Sequence, residues 1–173
     1  MDINLLYSVD DWVVHTKYGV GQIKTIEVKP ILGENTDCFK VKTYDCTYWF
    51  PTNDIENPRI RSVASKDVIQ QIIKNLRRKS SQLDTDRAIW KQRIEETQAN
   101  SDVLTLSLII RDLSTQKKLR QLNQTEDDAL EYFKDRLLRE WSSITGDEMN
   151  KLRSELNSYI QESLAKVKVD WMT

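Results

Sequence analysis

Residues 11–28 read DWVVHTKYGVGQIKTIEV, and this segment indicates how the N-terminal part of the 173-residue chain folds. Two runs rich in β-branched residues, 12–15 and 20–28, flank the turn signal Lys17-Tyr18-Gly19. Valine, isoleucine and threonine favour strands, and glycine supplies the backbone freedom that a tight turn needs. The segment therefore predicts two strands joined by a turn.

Two further short runs, 38–44 and 47–50, extend the β pattern, and residues 32–35 supply another turn signal between strands. The run Phe39-Lys40-Val41-Lys42-Thr43 alternates with a period of two, so that one face packs inward and both lysines face solvent. Four or five such strands within about sixty residues predict a small, strongly bent β-barrel.

The distribution of proline and glycine indicates a domain boundary. All three prolines and three of the four glycines precede residue 59, and Gly146 is the one glycine that follows. Turn-forming residues are thus concentrated in the first third of the chain. We expect two domains, residues 1–62 and residues 63–173.

Residues 63–173 predict an all-α domain of about five helices, because apolar residues recur there at helical spacing. The last of these stripes consists of Met149, Leu152, Leu156, Ile160 and Leu164. Expected start signals are Ser65, Asp84 or Thr85, the segment NSD at 100–102, Thr125-x-x-Asp128 and Thr145-x-x-Glu148. The predicted fold class is a two-domain α+β protein.

The charge is distributed unevenly along the chain. The net charge is −1, which argues against a protein that coats nucleic acid through charge alone. Residues 66–120 nevertheless contain 12 basic against 7 acidic side chains, whereas residues 121–173 contain 7 against 11. We therefore expect any nucleic-acid surface in the middle third.

Several classes of function lack their sequence signals. Cys38, Cys46 and His15 are too few for a zinc site of Cys/His type, and they come without the partners of a nucleophilic enzyme. Gly19-x-Gly21 is a turn rather than a phosphate loop, since no third glycine follows. The N-terminus lacks signal-peptide features, and no apolar run approaches a membrane span. We expect a cytoplasmic non-enzyme without catalytic residues, metal, cofactor, small-molecule substrate or membrane contact.

Short motifs spread over residues 7–165 resemble the CarD/CdnL family of RNA-polymerase-binding transcription factors, because they follow the family's order and spacing. In the N-terminal part they are Asp11-Trp12-Val13-Val14, the segment 18–23, Ile26-Glu27, the segment 31–34, Phe50-Pro51 and the segment 60–63. In the C-terminal part they are Trp90-Lys91-Gln92-Arg93, the segments 100–103 and 110–113, and the segment 135–140.

This resemblance implies a Tudor-like barrel that binds the β subunit of bacterial RNA polymerase, followed by a helical domain that faces promoter DNA. The family stabilises or tunes the open promoter complex, and a member is associated with the nucleoid through the polymerase. By the resemblance, polymerase contacts fall on an exposed sheet edge and on Lys29, Trp49 and Pro51. The partners are the β subunit and promoter DNA within the polymerase complex.

The DNA-facing candidates are Arg87, Trp90, Lys91 and Arg93. In the family, a tryptophan at the position of Trp90 is a wedge at the minor-groove edge where the duplex opens, and flanking cations suit neighbouring phosphates. Helical spacing by itself favours burial of Trp90, because Ile94 and Thr97 share its face. The resemblance favours exposure, which is the prediction adopted here.

Three alternatives stay open. Strand alternation turns Trp49 outward if Tyr48 and Phe50 pack inside, but the indole then has two possible roles, an interface anchor or a packing contact with the helical domain. The basic clusters around Arg77 and Lys118 lie at predicted helix ends, where cations also favour the helix dipole. A protein–protein adaptor that joins polymerase to another factor without touching DNA is the alternative function, and the acidic last third favours it.

Overall fold

The computed structural model describes residues 5–100 and 102–168. The chain divides into two compact units between Val63 and Ala64. Strands form the first unit and helices form the second, which confirms the predicted α+β class. The boundary predicted after residue 62 lies one residue before this division.

The first unit is a five-stranded antiparallel sheet in the order β4-β3-β2-β1-β5. The strands are β1 (Trp12–His15), β2 (Gly19–Ile31), β3 (Glu34–Thr43), β4 (Thr47–Pro51) and β5 (Ile60–Ser62). In this order β4 and β5 are edge strands, so the sheet is open and a closed Tudor-like barrel is not confirmed.

Two glycines explain the shape of this sheet. Leu32 and Gly33 both have positive φ, 51° and 87°, which is typical of the two-residue type I′ hairpin that joins β2 to β3. A Cβ atom at Gly21 would lie 2.6 Å from Val41 Cγ1, so β2 and β3 approach there more closely than a larger residue allows. The sheet then covers a core of Tyr7, Val13, Ile23, Phe39, Val41, Tyr48 and Phe50.

The second unit contains five α-helices among the described residues: α1 (Val68–Arg77), α2 (Arg87–Ala99), α3 (Val103–Leu119), α4 (Gln124–Thr145) and α5 (Met149–Ala165). Helix α3 is central, because it packs against each of the other four helices and is buried at most positions. The predicted stripes form one shared core, in which Phe133, Leu113 and Leu156 are fully buried.

Two of the predicted helix starts agree with the structure or nearly so. Asp102 accepts hydrogen bonds from the N–H groups of Leu104 and Thr105, which confirms the cap expected within residues 100–102; Ser101 lies outside the described residues. Helix α2 is capped by Asp86, one or two residues after the predicted Thr85 or Asp84.

Two other predicted starts are wrong. The capping box of α4 consists of Asn123 and Glu126 rather than Thr125 and Asp128. The carboxylate of Glu126 also forms an ion pair with Arg120, and this pair lowers the pKa of Glu126. The expected capping box at Thr145 is also wrong, because α4 continues through Thr145 and ends at Gly146 in a left-handed conformation.

Candidate functional site

Trp49 lies on β4, an edge strand of the first unit, and its side chain is 40% exposed. Its neighbours along the strand, Tyr48 and Phe50, are buried in the core. The expected alternation along β4 is therefore confirmed, and it turns the indole outward. Of the polymerase-facing candidates, Pro51 is half-buried at the end of the same strand, opposite Cys38 on β3.

Four side chains from three strands form what we call the Trp49 cluster: Glu27, Lys29, Lys40 and Trp49. Trp49 Nε1 donates a hydrogen bond of 3.0 Å to Glu27 Oε2. Lys40 Nζ lies 2.8 Å from the other oxygen of Glu27, and Lys29 Nζ lies 3.3 Å from Oε2. The Lys29 ammonium is also 4.5 Å from the centroid of the Trp49 ring. These contacts hold the indole in one orientation.

Strand pairing explains why these residues meet. Lys40 is directly opposite Trp49 in the β3–β4 pair, and directly paired residues share one face of a sheet. Glu27 and Lys29 are two residues apart on β2 and so lie on one face of that strand. The sequence-based prediction included Lys29 and Trp49 but missed Glu27 and Lys40.

The carboxylate of Glu27 is strongly stabilised in its charged form. Hydrogen bonds from Lys40 and then Trp49 lower the pKa of Glu27 from 4.5 to about 2. Two cations against one anion give the cluster a net positive charge. A partner segment that carries acidic side chains therefore suits it.

The free edge of β4 carries backbone groups beside this cluster. The N–H of Thr52 donates to the carbonyl of Asp37 on β3. Because backbone groups alternate along an antiparallel strand, those of Thr47 and Trp49 point away from β3. β4 pairs with β3 alone among the described strands, so this edge can accept an added strand.

Arg87 and Lys91, two of the DNA-facing candidates, are exposed on the first turns of α2. They are four residues apart and thus lie on the same helix face. Together with Asn123 and Glu126 from the start of α4, they line a groove of about 500 Å³. Both cations are accessible to an anionic partner.

The expected exposure of Trp90 is wrong. Its side chain is 1% exposed, and its Nε1 donates a hydrogen bond of 2.8 Å to the carbonyl oxygen of Asp84. Ile94 and Thr97, which share its helix face, are buried with it. The burial of Trp90 that helical spacing predicted is therefore confirmed, because the segment before α2 and the neighbouring helices cover that face. In this conformation the indole cannot enter a DNA groove.

Arg93, the fourth DNA-facing candidate, contacts other residues of its own unit. Its Nη2 lies 2.9 Å from Asp112 Oδ2, and its guanidinium carbon is 4.7 Å from the centroid of the Trp90 ring. Asp112 is buried and also accepts hydrogen bonds from Arg111 and Ser80. Arg93 therefore fastens α2 to α3, a role that the sequence-based prediction missed.

Metal sites, membrane-spanning helices and disulfides each require a particular arrangement of residues. Among the described residues no group of three or more His, Cys, Asp or Glu side chains could hold a metal ion. In the same part of the chain, no helix is long and apolar enough to cross a membrane. Cys38 is buried and Cys46 is half-buried, and both are free thiols.

Comparison with known proteins gives two matches. Residues 7–64 match the family model of the CarD-like/TRCF RID domain. Over 155 residues the chain is 25% identical to the putative transcription factor YdeB of Bacillus subtilis (strain 168). That alignment covers 86% of this chain and 99% of the relative.

Proposed function

We propose that this chain is a transcription regulator that binds the β subunit of RNA polymerase, because residues 7–64 match the family model of the CarD-like/TRCF RID domain. The family of this domain is associated with RNA polymerase, and the relative is named as a putative transcription factor. A transcription-related role that involves the polymerase follows from these two matches. The β subunit and the promoter contact are our proposal.

One observation supports the polymerase contact: Trp49, the centre of the Trp49 cluster, lies on the free edge strand β4 of the matched domain. A strand of the β subunit pairs with β4, and its side chains cover the indole. A large, pre-oriented aromatic side chain is the usual energetic centre of a protein interface, because it buries much area at a small entropy cost. Lys29 and Lys40 select acidic side chains of the partner strand.

The helical unit supplies the DNA contact through Arg87 and Lys91. Their exposed ammonium and guanidinium groups are close enough together to suit neighbouring phosphates of the promoter DNA backbone. Two such contacts are weak by themselves, so DNA is engaged when polymerase binding holds this unit close to it. Trp90 has no direct part in this contact, because it is buried.

The regulatory effect follows from mass action. A factor that contacts the open promoter complex more strongly than the closed one shifts their equilibrium by its differential affinity and by no more. A polymerase contact that is equally strong in the closed and open complexes leaves their equilibrium unchanged. The DNA contact therefore carries the effect on open-complex lifetime.

One observation favours the adaptor alternative. The burial of Trp90 removes the residue that the resemblance placed at the DNA fork. In this alternative the first unit binds polymerase, and the helical unit binds another protein.

A gel shift of polymerase on fork-junction promoter DNA, with and without the chain, tests the proposal. We expect the wild type to slow dissociation of the complex, and Arg87→Gln with Lys91→Gln to lose most of this effect while still binding polymerase. The control exchanges Lys66→Gln and Arg153→Gln, two exposed cations elsewhere in the helical unit. Polymerase binding with no effect on dissociation would support the adaptor instead.

A further inference from the structure

The C-terminal ends of α1 and α5 lie side by side. Lys166 Nζ donates a hydrogen bond of 2.7 Å to the carbonyl oxygen of Arg77, and Ser163 Oγ donates one of 2.6 Å to that of Arg78. This contact brings together cations that are far apart in sequence. We call the set Lys74, Arg77, Arg78, Lys79 and Lys166 the α1/α5 basic surface.

The helix dipole accounts for part of this charge. The C-terminal end of each helix carries a partial charge of about −0.5, so the two C-terminal ends together offset roughly one cation. Glu162, which forms a 2.6 Å ion pair with Arg77, offsets another. The five cations therefore leave an excess of about three positive charges after the dipole and the ion pair are counted.

Hydrogen bonds that cap the helix ends do not account for the remaining positive charges either. The carbonyl groups of Arg77 and Arg78 are satisfied by Lys166 and Ser163, and the carbonyl of Lys74 accepts the N–H of Arg78. Among the described residues, no acidic side chain pairs with Lys74, Arg78 or Lys79, and all three are exposed. Lys74 and Arg78 are one turn apart, where like charges repel each other. The helix dipole, the ion pair and capping together therefore do not account for all of these cations.

The chemistry around the surface indicates its partner. None of the large apolar side chains that are exposed in the described residues lies on α1 or α5. A protein interface needs apolar or aromatic anchors, and a membrane-surface site needs apolar side chains that enter the lipid. Binding to a nucleic-acid backbone needs cations alone, because it is driven by release of counterions.

We propose that the α1/α5 basic surface binds the phosphate backbone of duplex DNA without reading its sequence. This contact goes beyond the proposed function, which relies on Arg87 and Lys91 of α2. Three unpaired cations engage about three phosphates, so binding is weak at physiological salt and strengthens steeply as salt is removed. Such a surface can hold the factor near DNA independently of polymerase.

The test measures fluorescence anisotropy of a short random-sequence duplex with the full-length chain over a series of salt concentrations, without polymerase. We expect the plot of log affinity against log salt to be shallower by about two to three units in the Lys74→Gln, Arg78→Gln, Lys79→Gln variant. The control, Lys42→Gln with Lys66→Gln and Arg153→Gln, loses the same charge from exposed sites elsewhere. Its slope should stay near that of the wild type.

Three outcomes would overturn the proposal. Equal losses in both triple variants would mean that net charge, not this surface, sets the affinity. Equal binding to anionic phospholipid vesicles, lost in the same triple variant, would assign the surface to lipid. Loss of duplex affinity in Arg87→Gln with Lys91→Gln, but not in the Lys74→Gln, Arg78→Gln, Lys79→Gln variant, would assign the DNA contact to α2. The proposed function would then remain intact. Unchanged melting temperatures establish that each variant is folded.

Discussion

Trp90 Nε1 donates a 2.8 Å hydrogen bond to the carbonyl oxygen of Asp84, six residues earlier in the chain. The bond ties the irregular segment before α2 to the buried face of that helix. It also satisfies the one polar atom of an otherwise apolar buried ring. Trp90 is therefore part of the core that holds α2 in place.

We expect Trp90→Ala to lower the free energy of unfolding by roughly 3–5 kcal/mol, because it leaves a large cavity. Differential scanning fluorimetry should register a fall of many degrees in melting temperature. Ile89→Ala is the matched control, since that neighbour on α2 is 39% exposed, and it should change stability by less than about 1 kcal/mol. A Trp90→Ala protein as stable as the control would place the indole outside the core.

Trp49→Ala should weaken binding to the polymerase β subunit with little effect on folding. Removal of a central aromatic anchor costs about 2 kcal/mol or more, which is roughly 30-fold in affinity. Trp12→Ala is the control, because Trp12 lies in the same unit and is 39% exposed. Surface plasmon resonance with immobilised β subunit separates the two variants. Equal affinities would remove β4 from the proposed interface.

Glu27 should keep its charge over the whole physiological range and well into acid. Its pKa in the folded chain is about 2, below the ordinary 4.5, because Lys40 and Trp49 donate to the carboxylate. A lowered pKa means that its contribution is fully present above about pH 4.5 and is lost as the pH falls through about 2. The indole N–H signal of Trp49 in NMR spectra should therefore stay constant between about pH 7 and pH 4. Lys40→Gln should move the midpoint of the Glu27 titration to higher pH. A midpoint near pH 4.5 in the wild type would contradict the geometry of the Trp49 cluster.

Asp112→Ala should be among the most destabilising changes in the helical unit. The buried carboxylate faces both Arg93 and Arg111, and its removal leaves a buried cation without its partner. Breaking such a pair costs about 3–5 kcal/mol. Asp128→Ala, an exposed acid on α4, is the control and should be nearly neutral by urea denaturation. A mild effect at Asp112 would mean that Arg93 does not fasten α2 to α3.

Tyr48→Phe should leave the first unit equally or more stable. Burial raises the pKa of Tyr48, and its hydroxyl is buried without a hydrogen-bond partner among the described residues. Removing an unsatisfied buried hydroxyl removes its desolvation cost, which is about 1–3 kcal/mol. Tyr7→Phe is the contrast, because the Tyr7 hydroxyl has a hydrogen bond with Ser62. Thermal unfolding in which Tyr48→Phe loses as much stability as Tyr7→Phe would contradict this assignment.

Periodicity was sufficient to predict which face of the strands and helices is buried, although it did not place every helix start. Alternation along residues 39–43 and 47–50 placed Phe39, Val41 and Phe50 inside, since successive side chains of a strand point to opposite faces. Helical spacing likewise predicted the apolar stripe of α5, in which Leu152 and Leu156 are fully buried. These patterns are local, so the sequence alone determines them.

Contacts between distant segments needed the tertiary structure. Helical spacing put Trp90 on an apolar face, but the packing of the chain around α2 decided that this face is covered. The meeting of Glu27 with Trp49 depends on strand pairing, and that of Arg77 with Lys166 depends on how α1 and α5 pack. Charge and burial at these positions come from neighbours 22 to 89 residues away in the chain, which no local pattern encodes.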